Sequence, residues 1–203
     1  MKRVISWLLA VALLLMLAMP VAMAAEERTS GAFTYRIKGN GTAAITGYDW
    51  VNNDKKDIFI PRMLDGYTVT EIADEAFAKV SYDSNDGLET VYSRWTANSL
   101  VIPDTISSIG DKAFWGLDFE TKYISIPASV QHIGSGAFSH LGGIEYFVVG
   151  EGNTTYSTID GVLYNKKEKS LIAYPPEKTA EYSLLNPNDS MPIVDLQQQV
   201  AEK

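Results

Sequence analysis

The 203-residue chain contains no cysteine. Disulfides are therefore excluded as a source of stability, and so are thiolate metal ligands and a thiol nucleophile. Histidine is nearly absent too. His132 and His140 are the only two, without the His-x-x-x-His or Cys–His spacing that holds zinc, so no metal site is expected. Basic charge is short as well: 17 Lys and Arg stand against 25 Asp and Glu, a formal net charge of −8. Such a chain repels polyphosphates and anionic membrane surfaces, so nucleic acid is not an expected partner. What is present is apolar, at 46% hydrophobic and 11% aromatic residues, too much for a disordered chain. Without disulfides, the stability of an exported domain has to come from the pattern of those residues.

Met1-Lys2-Arg3 precedes an apolar run from Val4 to Met19, which gives way to Pro20 and the small-residue stretch Val21-Ala22-Met23-Ala24. These are the three parts of a secretory signal peptide, and they predict cleavage after Ala24. The run is shorter than the roughly 20 apolar residues a bilayer span requires. No cysteine follows it to take a lipid, so the mature chain from Ala25 is expected to leave the membrane, with no stable insertion and a secreted or cell-envelope location.

The middle of the chain repeats. Ile102-Pro103-Asp104-Thr105-Ile106-Ser107-Ser108-Ile109-Gly110-Asp111-Lys112-Ala113-Phe114 returns 24 residues later as Ile126-Pro127-Ala128-Ser129-Val130-Gln131-His132-Ile133-Gly134-Ser135-Gly136-Ala137-Phe138. The apolar frame, the Ile-Pro pair and the Ala-Phe pair are kept while the positions between them vary. A looser copy runs through Ile60-Pro61, Val69, Ile72-Ala73 and Ala76-Phe77, and a diverging one begins at Phe147-Val148-Val149-Gly150. A period in the twenties with a fixed apolar frame makes each unit one coil of a solenoid, because no unit can bury its own apolar side chains except against its neighbours. Alternation in Tyr123-Ile124-Ser125-Ile126 predicts a short strand with both isoleucines inward, ended by Pro127, which has no N–H to give to a ladder. Gly110 and Gly134 suit a turn that needs either a positive φ or a close backbone approach. Phe114 and Phe138 are predicted to stack as adjacent rungs of a core ladder.

These residues carry a resemblance. IPDTISSIGDKAF, IPASVQHIGSGAF and VTEIADEAF resemble the repeat of the BspA-like, surface-antigen type of bacterial leucine-rich repeat family. The likeness spans roughly residues 31–175. It includes an opening hairpin from Phe33-Thr34-Tyr35 through Gly39-Asn40-Gly41 to Ile45-Thr46-Gly47-Tyr48, and a hairpin insert from Asp160-Gly161 to Pro175. The resemblance implies a short, right-handed, β-rich, leucine-rich-repeat-like solenoid of about four coils, found in exported or surface proteins, with no catalytic residues. Where the family often has cysteine after the Ala-Phe pair, this chain has Leu117 and Leu141, which keeps the position apolar.

The expected organisation is a signal peptide over residues 1–24, a repeat domain over 25–178 with an inserted loop at 79–98, and a polar tail over 179–203. The tail reads either as a cap or as partly disordered, with one or two amphipathic helical turns between Ile193 and Val200.

Sites of chemistry are not found in the sequence. Asp83 to Gly87 has calcium-loop residues, but glycine falls one position early and the twelfth residue is Arg94, so a plain turn is expected. Ser135 lies between Gly134 and Gly136 without the spacing of a nucleophile elbow. Neither Asp74 with Glu75 nor Glu151 with Asp160 forms a pair whose environments would split two pKa values. No cofactor and no catalytic residue is expected, and the chain reads as a non-enzyme. A surface remains. Strand alternation turns Ser99 and Val101, Tyr123 and Ser125, then Tyr146 and Val148 away from the core in successive coils, with Trp95 and Trp115 nearby in turn or insert positions. Aromatic rings on a rigid face engage protein or sugar at low entropic cost. The expected function is a non-catalytic protein-interaction module; the alternatives are a carbohydrate-binding module and a structural or capping piece of a surface assembly.

Overall fold

Parallel strands in register turn the 24-residue repeat into stacked coils. A computed structural model describes residues 26–52, 57–78, 81–82, 89–90 and 95–178. The signal peptide read at 1–24, the calcium-like stretch at 83–87 and the tail at 179–203 lie outside the described residues. The chain begins with β1 (Glu27–Ser30), β2 (Phe33–Ile37), β3 (Thr42–Tyr48), β4 (Asp57–Phe59), β5 (Met63–Leu64) and β6 (Tyr67–Ile72). It continues through β7 (Ser81–Tyr82), β8 (Glu89–Thr90), β9 (Thr96–Ala97), β10 (Ser99–Val101), β11 (Ser108–Ile109) and β12 (Asp118–Phe119). The last third holds β13 (Tyr123–Ile126), β14 (His132–Ile133), β15 (Tyr146–Val149), β16 (Tyr156–Ile159), β17 (Val162–Asn165) and β18 (Ser170–Ala173).

About 3 turns of β-solenoid result, with no helix among the described residues. Three parallel ladders line the stack. The first joins β3, β6, β11 and β14, and places Ile45, Ile72, Ile109 and Ile133 on one register line, every one of them buried. The second joins β4 to β10 and β13 to β15; the third joins β9 to β12 and continues as a bridge between Asp118 and Gly142. Each short strand exposes backbone donors and acceptors along both edges, and the coils above and below satisfy them. Turns stack in the same way: Phe77 N–H donates to Ala113 O and Phe114 N–H to Ala137 O, each at 2.9 Å.

The phenylalanines form the expected ladder. Phe77 and Phe114 stack with centroids 5.1 Å apart, and Phe114 and Phe138 at 5.5 Å with planes 9° from parallel. The ladder changes character where the repeat diverges, since Phe147 meets Phe138 edge-on at 61°. At the other end Phe33, Tyr48 and Trp50 carry the aromatic packing from Phe77 into the opening hairpin.

For Gly110 and Gly134 the structure decides between the two readings. Neither has a positive φ; a Cβ on either would sit 2.5 Å from the backbone nitrogen of Asp74 or Asp111 in the preceding coil. Close approach is the requirement there. The positive φ falls two residues later, at Glu75, Lys112 and Gly136. The aspartates beside the glycines add an inter-coil rung: the Asp74 carboxylate accepts from Asp111 N–H at 2.8 Å, and the Asp111 carboxylate accepts from Ser135 N–H at 2.7 Å. Ser135 is thus a turn residue.

The region between the first two coils is shorter than the expected insert of 79–98. Residues 96–97 form β9, pair in parallel with β12, and bury Ala97 completely, so the stack resumes before residue 98. Within the insert, β7 pairs antiparallel with β8.

Both ends carry meanders. At the start, β1, β2 and β3 form an antiparallel sheet that hands over to the first parallel ladder through β3. At the far end, β16, β17 and β18 form the expected hairpin insert, extended by one strand and turned by Asp160-Gly161, both at positive φ as a two-residue hairpin requires. Asn153 fastens this meander to the last coil. Its amide donates to Pro127 O and Val130 O at 3.0 Å each, and its carbonyl accepts from Thr155 N–H and Tyr156 N–H at 2.8 and 2.7 Å. Asn153 is buried, so Asn153→Ala strands groups on both sides, and an expected loss of about 2 to 3 kcal/mol should appear in denaturant unfolding.

In the opening sheet, the Tyr35 hydroxyl donates to Asp65 at 2.7 Å and the Ser30 hydroxyl at 2.9 Å. Both bonds favour the ionised carboxylate and hold Asp65 below its ordinary pKa. A carboxyl depressed in the folded state stabilises it above the unfolded pKa and loses that contribution as pH falls through the folded value. The melting temperature of the native chain should therefore fall more steeply than that of Asp65→Asn as pH drops below about 4. Equal slopes for the two proteins would remove Asp65 as the cause.

Candidate binding face

Two parallel strand pairs, β4–β10 and β13–β15, with β10 beside β13, carry one outer side of the stack. Inward positions along it are apolar and buried: Ile58, Leu100, Ile124 and Phe147, followed by Ile60, Ile102 and Ile126. The alternate positions point out because successive side chains on a strand face opposite sides. Register places Asp57 opposite Ser99 and Phe59 opposite Val101, then Tyr123 opposite Tyr146 and Ser125 opposite Val148. Two columns result. One runs Asp57, Ser99, Tyr123, Tyr146 and the other Phe59, Val101, Ser125, Val148.

The second column is unusually apolar for a surface. Phe59 is 63% exposed, Val101 48% and Val148 40%, with Tyr123 and Tyr146 at 46% and 41% beside them. The tyrosine rings stack with centroids 5.6 Å apart and planes 14° from parallel. Each ring limits the rotamers of the other, so part of the entropy cost of ordering them is met before any ligand arrives. Charge lies at the margins and is matched: Lys122 pairs with Glu145 at 2.9 Å, Arg62 pairs with Asp104, and the Ser99 hydroxyl donates to Asp57 at 2.6 Å. Beyond Tyr146 the face ends in a shallow hollow of about 490 Å³ that includes Glu145, Asp160, Gly161 and Lys178. Lys178 there bonds Asp160 at 2.8 Å.

The structure brings together Tyr123, Ser125, Tyr146 and Val148. It places the two tryptophans elsewhere. Trp95 is half-buried against the core and stacks on Trp50 at 5.6 Å and 7°. Trp115 is only 7% exposed, lies against His140 at 4.8 Å, and has the Lys112 ammonium over its ring. Trp115 sits in the turn stack, so its ring serves packing between coils. Phe59 was missed by sequence reading although its signal was available: it precedes Ile60-Pro61 as Val101 precedes Ile102-Pro103. The longer spacing after Pro61 concealed the equivalence.

Among the described residues no group of three or more His, Asp or Glu side chains is arranged to hold a metal ion, and no helix is long and apolar enough to cross a membrane. The fold is that of a leucine-rich-repeat-like β-solenoid. Residues 89–175 match the sequence profile of the BspA type leucine rich repeat region in 6 copies, and the repeats within that span are of that type. Solved structures similar to the chain include a leucine rich cell surface protein from Faecalibacterium prausnitzii, 18% identical, covering 76% of this chain and 63% of that one with a TM-score of 0.34. The pneumococcal vaccine antigen PcpA is 19% identical, covering 77% of this chain and 58% of its own with a TM-score of 0.33. A leucine-rich repeat protein from Bacteroides capillosus is 23% identical, covering 61% of this chain and 97% of its own with a TM-score of 0.41. The chain spans about three-fifths of the length of the first two. No curated protein matches it.

Proposed function

We propose that this chain is a non-catalytic binding module of the cell surface that holds a protein partner on the face built by β4, β10, β13 and β15. The observation that carries this reading is the outward pair of stacked tyrosines beside the exposed Phe59, Val101 and Val148, displayed on the parallel pairs β4–β10 and β13–β15. Apolar and aromatic side chains exposed on one face with paired charge at its rim have the composition of an interface centre, and aromatic anchors contribute most of the energy there. Membership of the BspA-type repeats supports the same reading. The N-terminal run over residues 1–24 supports delivery outside the membrane, and an exported chain beginning at Ala25 is its expected product.

The test is a binding measurement on surface and matrix proteins captured by the native chain. Tyr123→Ala combined with Tyr146→Ala should weaken binding by roughly 30-fold or more while the melting temperature changes little, since both rings are outside the core. Unchanged affinity in that double variant would move the site off this face. A ligand retained on a glycan array and competed by free sugar would replace the protein partner with a carbohydrate.

A further inference from the structure

Asparagine precedes glycine once in the sequence, at Asn40-Gly41 in the loop between β2 and β3. The loop is closed by its backbone: Lys38 N–H donates to Thr42 O at 2.8 Å and Gly41 N–H donates to Lys38 O at 3.0 Å. Asn40 and Gly41 are both exposed, and Gly41 has φ +75° with nothing within 4 Å of an added Cβ. A glycine nitrogen there has no side chain beside it to shield it, and its backbone is free to adjust.

The Asn40 side chain does not extend into solvent. Its Oδ1 accepts from the Thr42 hydroxyl at 2.7 Å and from Thr42 N–H at 3.3 Å, so the side-chain amide is folded back over Gly41. Folding back holds the Asn40 amide carbon near the Gly41 backbone nitrogen, the two atoms that join when a five-membered ring closes. The two Thr42 donors point at the oxygen on which negative charge develops during that closure, an arrangement that stabilises an oxyanion. Other asparagines lack the full set. Asn153 and Asn165 make similar bonds to the backbone, but both are buried and are followed by Thr154 and Lys166, whose Cβ crowds the nitrogen. Asn52 and Asn98 are followed by Asn53 and Ser99, with the same crowding.

We propose that Asn40 is a site of self-catalysed deamidation, with Gly41 as nucleophile and Thr42 as the activating donor. The Gly41 nitrogen gives its proton to hydroxide and attacks Asn40 Cγ. The N–Cγ bond forms, the Cγ–Nδ2 bond breaks, and Nδ2 leaves as ammonia with a proton taken from water. Water then adds to either carbonyl of the succinimide and opens the ring to an aspartyl or an isoaspartyl product, so that in sum one water is consumed and one ammonia released. Because Gly41 N–H is bonded to Lys38 O, attack waits for that exposed bond to open. The aspartyl product keeps both Thr42 donors, now on a carboxylate, where such bonds are stronger. The isoaspartyl product adds a methylene to the loop backbone and loosens the hairpin that leads through β3 into the first ladder. The inference does not rest on the proposed binding face.

Incubation of the full chain in mildly alkaline buffer, followed by peptide mass mapping, tests it. The expected result is conversion of amide to acid at Asn40 before any other described asparagine, at a rate that rises with pH, with both isomeric products present. Thr42→Val should slow the conversion roughly threefold or more in the folded chain and leave it unchanged in denaturant, where the hydroxyl is no longer fixed over Asn40. Thr42→Ser keeps a hydroxyl and should restore most of the native rate, which separates loss of the donor from damage to the hairpin. Asn40 keeping its amide throughout, or losing it after another described asparagine, overturns the proposal. Equal rates for the folded native chain and Thr42→Val, or a Thr42→Ser chain as slow as Thr42→Val, overturn the role of Thr42.

Discussion

Replacing Phe114 by alanine should cost the domain roughly 3 to 5 kcal/mol, which for a chain of this size is a fall in melting temperature of roughly 10 °C or more. Phe114 is fully buried and is the middle ring of three, stacked on Phe77 at 5.1 Å and on Phe138 at 5.5 Å. Truncation removes both stacking contacts and leaves a void between coils whose backbones are locked together by the Phe77-to-Ala113 and Phe114-to-Ala137 hydrogen bonds. Those bonds hold the coil spacing and prevent collapse onto the vacancy, so the cavity contribution is retained in full. Phe138→Ala should be milder, because that ring has a stacked neighbour on one side and an edge-on one on the other. Calorimetry of both variants checks the order; equal losses would mean that the stack is not what the rings contribute.

A second large effect is expected where the third ladder closes. Gly143 has φ +80°, and a Cβ built there lands on the Phe119 carbonyl oxygen. Phe119 cannot step aside, since its own N–H donates to Gly142 O at 2.9 Å and Gly142 N–H donates back to Leu117 O at 2.9 Å. Gly143→Ala combines a left-handed backbone with a backbone collision and should destabilise the chain by roughly 3 to 5 kcal/mol. Gly152 separates the two causes. Its φ is +83° but nothing lies within 4 Å of an added Cβ, so Gly152→Ala should cost only the conformational share, about 1 to 2 kcal/mol. If denaturant unfolding gave the same loss for both, the close approach of Gly143 to the neighbouring coil would not be the cause.

The parts legible in the sequence are those where the same side chain recurs at one offset. Ile109 and Ile133, Phe114 and Phe138, and Gly110 and Gly134 each mark a position where coils touch, and all three pairs touch as the spacing implies. Strand alternation likewise sends Tyr123 and Tyr146 outward and brings their rings into register. Legibility fails where an insertion breaks the offset. Extra residues after Pro61 hide the equivalence of Phe59, and Thr96 and Ala97, which pair with β12, carry no repeat signature that would end the insert before residue 98. The place of Trp115 beside a turn suggests a surface aromatic; the turn is itself an interior layer of the stack, where Ser139 O accepts from Gly116 and the indole packs on His140.

By itself the sequence determined the kind of architecture and its core, because a periodic apolar frame has only one way to bury its side chains, against copies of itself. It also determined the chemical character of the outer face, since alternation along a strand is a property of the backbone. Tertiary structure alone decided which exposed residues share a face and how the terminal meander is fastened to the last coil. Those depend on the positions of segments far apart in the chain, at contacts that no repeating offset records.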